Sequence, residues 1–279
     1  MPDSPYRAAF DATSPMFDSV TPLVWGPAGQ SLAFALGLRS GERVLDICAG
    51  TGASALPAAA AVGPDGLVHA IDLSDDLLEL ARLKATARAL RNIDFVRADA
   101  TQWEPPSTAA DGYDALACSY GVFFLPDMDI SFARLVRLVR PGGRVGVTVW
   151  RKGAIEAFAR AFFEVVARYK PGRPHEGPLA TETYAAHPLR RIETEETLGP
   201  WLTESGCTSV EVREFSNHVP ATEEFSWNFV LGSGFRGAIA EFDDDALASI
   251  RTEFLELLTA RGIDSVDATT LVATGVSVA

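Results

Sequence analysis

Soft metal ligands are scarce. Three cysteines (Cys48, Cys118, Cys207) and four histidines (His69, His175, His187, His218) are spread over 279 residues, with no Cys-x-x-Cys pair and no other ligand spacing. That pattern argues against a disulfide framework and a structural metal, and it points to a reducing compartment, the cytoplasm. Long hydrophobic runs are missing too. Apolar stretches such as Ala58–Val62 fall far short of the roughly 18–20 residues that cross a bilayer. The opening Met1-Pro2-Asp3-Ser4 has no basic segment followed by an apolar one, so no secretory leader is expected. Basic charge is in deficit: 24 Lys and Arg stand against 37 Asp and Glu, a net charge of −13. Much of the affinity for nucleic acid comes from Lys and Arg contacts to phosphate, so no nucleic-acid partner is expected. The one dense basic group, Arg134, Arg137, Arg140 and Arg144, reads as the solvated face and end of a helix.

The composition is otherwise that of a folded protein, with 47% hydrophobic and 22% charged residues. Short apolar runs alternate with amphipathic segments. Strands are expected at Arg43–Ile47, Leu67–Ile71, Ile93–Arg97, Tyr113–Ser119 and Arg144–Trp150, the last entered by a tight Pro141-Gly142-Gly143 turn. Helices are expected at 53–62, 75–91, capped by Ser74, and 129–139. Residues 5–38 read as helical with breaks at Pro15, Pro22 and Pro27. This alternation predicts a doubly wound α/β fold around a parallel sheet covered on both faces. Beyond Trp150 the rhythm changes. An aromatic helix (154–169), a Pro/Gly/His loop region (170–194), a helix (197–205), a strand (210–219), a broken helical stretch (222–262) and a last strand (267–278) follow.

The sharpest segment is Val44-Leu45-Asp46-Ile47-Cys48-Ala49-Gly50-Thr51-Gly52, where a strand ends, a loop of small residues follows and a helix begins. Gly50 and Gly52 let the backbone approach a ligand closely. In an open α/β sheet, ligands sit at the carboxyl ends of the strands. Twenty residues past Gly52, Asp72 ends the second strand, where a carboxylate can accept from both hydroxyls of a ribose. Gly50-x-Gly52-x-x-Ala55 followed by Asp72 also fits a dinucleotide site. Against that, Asp46 stands where a dinucleotide strand is usually apolar. The acids Asp46, Asp72 and Asp99 suit a cationic ligand better, and the motif begins late, behind a helical segment.

These residues resemble the motifs of class I S-adenosylmethionine-dependent methyltransferases. The chain is most similar to the ubiquinone/menaquinone-biosynthesis type and to small-molecule methyltransferases of natural-product pathways. The resemblance is carried by Val44–Gly52, Ala70-Ile71-Asp72-Leu73-Ser74, Val96–Ala100, Tyr113-Asp114 through Phe123-Phe124, and Leu138–Gly143. Phe10-Asp11 and Phe17-Asp18 look like that family's cofactor-covering segment, with Phe17 where a Tyr is common. It covers roughly residues 8–150 well and the remainder poorly. It implies a mostly parallel, seven-stranded Rossmann-like sheet with helical lid insertions. The segments expected are a covering segment (1–40), a core (41–152, 196–220 and 263–279) and two lids (153–195 and 221–262).

The same resemblance implies roles for individual residues. Asp46 and the loop Cys48, Ala49, Gly50 and Gly52 would hold the methionine end of S-adenosylmethionine. Asp72 would take the ribose, and Leu73 would lie against the adenine. Asp99 would accept from the adenine amino group, and Ala100 would offer its amide. Ser119 and Tyr120 would lie near the sulfonium, with Phe17 covering the cofactor. The product is S-adenosylhomocysteine, and no metal is implied. Cys48 departs from the Gly or Ala of many relatives. Ser119-Tyr120-Gly121-Val122 lacks the Asn/Asp-Pro-Pro-Tyr tetrad of enzymes that methylate base amines or protein amides.

The acceptor is then expected to be a small apolar or aromatic metabolite, methylated on O, C or N. Phe123, Phe158, Phe162, Tyr184 and Trp227 are the pocket candidates, although i, i+4 aromatic pairs such as Phe158/Phe162 also describe a core-facing stripe. His187 and Tyr120 are the catalytic candidates. Two functional alternatives stay open on sequence: an NAD(P)-dependent oxidoreductase and a cofactor-binding scaffold without turnover. Two structural questions stay open as well: whether the N-terminal 40 residues close over the cofactor or join a partner, and whether the chain forms a homodimer.

Overall fold

The computed structural model describes residues 14–169 and 187–278. Phe10, Asp11, Tyr184 and most of the expected 170–194 loop region lie outside the described residues. Five strands build the parallel part of the sheet: β1 (Arg43–Ile47), β2 (Leu67–Asp72), β3 (Ile93–Arg97), β4 (Tyr113–Ser119) and β5 (Val139–Trp150); all but the edge strand β3 are mostly buried. Two more complete it, β6 (Cys207–Phe215) and β9 (Thr270–Ser277). The order is β3-β2-β1-β4-β5-β9-β6, with β9 antiparallel to both of its neighbours. The strand order reverses between β1 and β4, so a crevice opens at their carboxyl ends.

Helices cover both faces. Alternate residues of β1 and β4 enter different clusters. Leu45, Ile47, Leu116 and Cys118 join the larger core with Phe132 and Leu135 of α5 (Met128–Val136). Val44 and Ala115 pack with Ala55, Ala58 and Ala59 of α3 (Ala55–Val62) and Leu78 of α4 (Asp75–Ala87). A period of two along a strand buried on both faces requires this division. Two N-terminal helices precede β1: α1 (Ser14–Val20) and α2 (Trp25–Ala35). After β5 come α6 (Glu156–Tyr169) and α7 (Glu195–Glu204). Between β6 and β9 lie α8 (Glu223–Leu231) and α9 (Asp244–Ala260), and the short strands β7 (His218–Pro220) and β8 (Ser265–Asp267) pair as a separate sheet.

Several sequence expectations need correction. Pro15 and Pro27 sit in the first turns of α1 and α2, where a missing N–H costs nothing, so they start helices rather than break them. The expected 210–219 strand is two strands in different sheets, and the expected 267–278 strand divides at Ala268–Thr269. Pro141-Gly142-Gly143 lies inside β5, as an excursion between the Tyr113–Val139 and Ala115–Arg144 pairs. The arginine group is not one helix face: Arg134 belongs to α5, while Arg140 and Arg144 belong to β5 and pair with Asp114 and Glu42.

Gly29 lets α2 meet the loop ahead of α3. A Cβ there would stand 2.3 Å from the Ala53 carbonyl oxygen and 2.8 Å from the Ser54 nitrogen. Gly→Ala inside a helix ordinarily stabilises by about 1 kcal/mol, but both neighbours are backbone and cannot rotate away. Gly29→Ala is therefore expected to lower stability by about 1–3 kcal/mol, measured as a fall in urea midpoint. Gly237→Ala, with nothing within 4 Å of its Cβ, should leave the midpoint within error.

Candidate active site

The loop after β1 is shaped by its neighbours. The Ala49 N–H donates to the Ile71 carbonyl (3.0 Å), and the Gly50 N–H donates to Asp72 Oδ2 (2.8 Å). The other oxygen of Asp72 accepts from the Ser74 N–H (2.9 Å). Ser74 itself caps α4, its Oγ accepting from the Leu77 N–H at 3.2 Å. A carboxylate has about four acceptor positions, so holding the loop and receiving ligand hydroxyls are compatible tasks. Gly50 and Gly52 adopt φ of +53° and +86°, as the loop requires. Cys48 is also left-handed, at φ +53°, which explains why Gly suits this position. Across the crevice Tyr120, at φ +54°, is a second non-glycine in that region. Backbone strain of this kind gathers at functional sites. Gly121 closes the crevice floor, since a Cβ there would lie 2.4 Å from Cys48 Cβ and 2.8 Å from Cys118 Sγ.

Asp46 is fully buried, and both of its oxygens face the Ser54 hydroxyl, at 2.8 and 3.0 Å. Burial pushes its carboxyl up to about 7, and the nearby Asp72 charge adds to the rise. Asp99 ends the β3 segment with its Oδ1 accepting from the backbone and hydroxyl of Thr101, at 2.9 and 2.7 Å. Ala100 is buried beside it, while Leu73 and Ser119 are half-buried. The Ser119 and Thr148 hydroxyls are 2.9 Å apart.

The N-terminal helix lies over this loop. The Phe17 ring comes within 3.6 Å of the Cβ position of Gly50, and Thr21 Oγ1 meets Thr51 Oγ1 at 3.1 Å. Lys84 of α4 pairs with Asp18 and donates to the Thr51 carbonyl at 3.3 Å. Phe17 stacks on Trp25, with ring centres 5.4 Å apart, and Trp25 meets Tyr120 and Trp150 edge-on at 5.2 and 5.7 Å. The loop, Asp72, Phe17, Ser119 and Tyr120 are thus brought to one sheet edge.

Other candidates fall elsewhere. Phe158 and Phe162 are 1% and 0% exposed, packed edge-to-face on Phe254 and Phe235. They form the inner core of the inserted helices and offer no surface to a ligand, which corrects their assignment to the pocket. Phe123 is buried beside Phe124, and Trp227 is half-buried on α8. Tyr120 bonds through its hydroxyl to Thr270, and burial pushes its phenol far up, so it stays protonated and is no base. His187 lies 5.8 Å from Phe123, ring centre to ring centre, and its Nδ1 accepts from the Leu189 N–H at 3.3 Å. Burial, and after it Arg190, holds its pKa down, so the ring is neutral with its proton on Nε2. Residues the sequence did not mark include Trp25, Thr51, Lys84, Thr148, Trp150 and Thr270. Thr51 lies within the glycine loop but was not singled out, and the others have no local signature, because each is brought in by tertiary packing. Among the described residues no group of three or more His, Cys, Asp or Glu is placed to hold a metal, and no helix is long and apolar enough to cross a membrane.

An open sheet of this order, with a glycine loop after β1, an acid ending β2 and an acid at the β3 end, is the binding core of a class I S-adenosylmethionine-dependent methyltransferase. Residues 31–224 match the model of the ubiE/COQ5 methyltransferase family, and the chain belongs to that family. Its methyl donor is S-adenosylmethionine. The chain is 40% identical over 159 residues to the aklanonic acid methyltransferase DauC of Streptomyces sp. (strain C5), covering 55% of this chain and 71% of the relative. It is 29% identical over 188 residues to the ubiquinone/menaquinone biosynthesis C-methyltransferase UbiE of Pseudomonas putida (strain GB-1), covering 66% and 72% of the two chains. Among solved structures, the [4+2]-cyclase SpnF shares the fold, with a TM-score of 0.58, 20% identity and coverage of 98% of this chain and 96% of that one. Phosphoethanolamine N-methyltransferase 2 of Haemonchus contortus, in complex with S-adenosylhomocysteine, has a TM-score of 0.52 at 18% identity, covering 89% of this chain and 52% of that one.

The buried carboxyl of Asp46 makes stability depend on pH. The folded protein binds this proton more tightly than the unfolded chain, whose carboxyl titrates near 3.8. The contribution is therefore complete below pH 3.8 and is lost as pH rises through about 7. Asp46→Asn removes the titration. Its urea midpoint relative to wild type is expected to rise between pH 5 and pH 8, and parallel pH curves for the two proteins would refute the assignment.

Proposed function

We propose that the chain methylates O or C of a small, planar, largely apolar metabolite of the polyketide or quinone type. The observation that carries this reading is the aromatic group at the ends of β4 and β5. Trp25, Tyr120 and Trp150 there retain 8, 8 and 9% exposure, whereas Phe158 and Phe162 of the insert core retain 1 and 0%. A flat apolar acceptor matches such walls. The names of the relatives, aklanonic acid and ubiquinone/menaquinone methyltransferases, support the same class. The described helices of the two inserted segments, α6 and α8–α9, act as lids over this acceptor, and the protein works in the cytoplasm.

S-adenosylmethionine supplies a methyl group activated by its sulfonium. In our reading Asp72 takes the ribose hydroxyls while holding Gly50, and Leu73, Asp99 and Ala100 surround the adenine. Asp46 and the loop from Cys48 to Gly52 take the methionine end, and Phe17 covers it. Ser119 and Tyr120 stand at the reacting end. With its phenol protonated, Tyr120 does not serve as a base, so its role is to position the acceptor and exclude water. Orientation alone is worth up to about 7–11 kcal/mol in well-aligned reactions.

Thermal unfolding tests the reading. S-adenosylhomocysteine at 100 times its dissociation constant should add about 2.7 kcal/mol of stability, and NADH should add none. Asp72→Ala should weaken S-adenosylhomocysteine by about 1.5–3 kcal/mol, the loss expected for hydrogen bonds to a charged group. A shift with NADH alone would favour the oxidoreductase reading. Unchanged affinity in folded Asp72→Ala would remove that residue from the site.

A further inference from the structure

Trp25 carries a polar group that the fold does not use. Its Nε1–H is buried and has no hydrogen-bond partner among the described residues. The indole N–H groups of Trp103 and Trp201 are paired, with Tyr113 Oη (3.1 Å) and Asp129 Oδ1 (2.8 Å). Three arginines also have one nitrogen each without a hydrogen bond, but each uses another on a carboxylate, and that of Arg151 lies 3.6 Å from Glu214 Oε2. Trp25 and Ser226 are the only described residues whose sole buried side-chain polar group is left without a partner. Ser226 lies on α8, one turn before Phe229, whose ring centre is 6.1 Å from that of Trp25.

A buried donor without a partner costs stability, because its lost hydration is not replaced. Phenylalanine would fill much of the same space, stack on Phe17 and avoid that cost. The indole sits among Phe17, Tyr120, Trp150 and Phe229, beside the ends of β4 and β5, and it is buried, with Nε1 itself covered. A neutral donor in an aromatic setting recognises an oxygen that only accepts. It cannot remove a proton. We propose that Trp25 Nε1–H anchors a carbonyl or carboxylate oxygen of the methyl acceptor, so that the acceptor is a planar apolar molecule bearing such an oxygen. This rests on the methyltransferase reading above and adds to it a recognition residue and the oxygen it selects.

The test uses the full chain saturated with S-adenosylhomocysteine, with 2-naphthoate as probe and 2-methylnaphthalene as its oxygen-free counterpart. Trp25→Phe is expected to weaken 2-naphthoate about tenfold or more, in line with the loss of a hydrogen bond to a charged group, and to leave 2-methylnaphthalene within twofold. In proton–nitrogen correlation spectra of the wild-type protein, the Trp25 indole signal, assigned by its proximity to Tyr120 and Trp150, should move downfield with 2-naphthoate only. This second measurement does not depend on the variant folding. Equal affinity of folded Trp25→Phe and wild type for 2-naphthoate, an unmoved Trp25 signal, or no binding of 2-naphthoate at millimolar concentration would each overturn the proposal. Failure of S-adenosylhomocysteine itself to bind would instead overturn the reading on which it rests.

Discussion

Asp72 ties three stretches of chain to one point. Its carboxylate oxygens hold the amides of Gly50 and Ser74, and its backbone carbonyl accepts the Ala98 N–H at 3.0 Å. The loop after β1, the start of α4 and the exit of β3 are thereby fixed relative to one another at the place where the strand order reverses. Consequences run outward from this clamp. Ser74, so positioned, caps α4, and α4 carries Lys84 to Asp18 and to the Thr51 carbonyl. That contact seats α1 on the loop and sets Phe17 against Trp25. The aromatic group at the ends of β4 and β5 depends on a carboxylate that lies outside it.

The same region concentrates negative charge. Asp46 lies fully buried near Asp72, and its carboxyl is raised because burial and the like charge both disfavour ionisation. Without a ligand the site keeps this acid on the edge of protonation near neutral pH. A cationic ligand at the strand ends relieves the repulsion and favours the ionised form. An anionic pyrophosphate would add to it. The electrostatics therefore discriminate between the two ligand classes that a Gly-x-Gly loop and a distal acid leave open. The Ser54 hydroxyl shared between the two Asp46 oxygens keeps the side chain oriented in either state.

The parallel half of the fold was legible because strands buried on both faces read as apolar runs, and the loops between them carry glycine, serine and aspartate with specific tasks. The cofactor loop was legible for the same reason: Gly50, Gly52 and Asp72 have backbone duties that few other residues perform. The inserts were harder. Spacing of i, i+4 gives Phe158 and Phe162 the same pattern whether they face a core or a pocket, and only packing on Phe235 and Phe254 decides it. The break at Ser216–Asn217 is invisible to periodicity, since residues on both sides alternate as strands but pair with different partners. Trp25 gave no local signal. It opens a helix near Pro27, and its importance comes from rings contributed by β4, β5, α1 and α8.

The fold alone does not choose the reaction. A sheet of this order is shared with a structure named as a [4+2]-cyclase, so the chemistry has to be argued from the family and from the groups at the crevice. Those groups are arranged for placement. The Tyr120 phenol is locked to Thr270 and kept protonated, and the Ser119 and Thr148 hydroxyls face each other. Strain at Cys48 and Tyr120 marks the two lips of the crevice, and the surrounding sheet holds both. A reaction whose electrophile is already activated needs alignment and a dry chamber more than it needs proton transfer. An enzyme for such a reaction can commit its polar side chains to one another, as the hydroxyls of Tyr120 and Thr270 and of Ser119 and Thr148 are here.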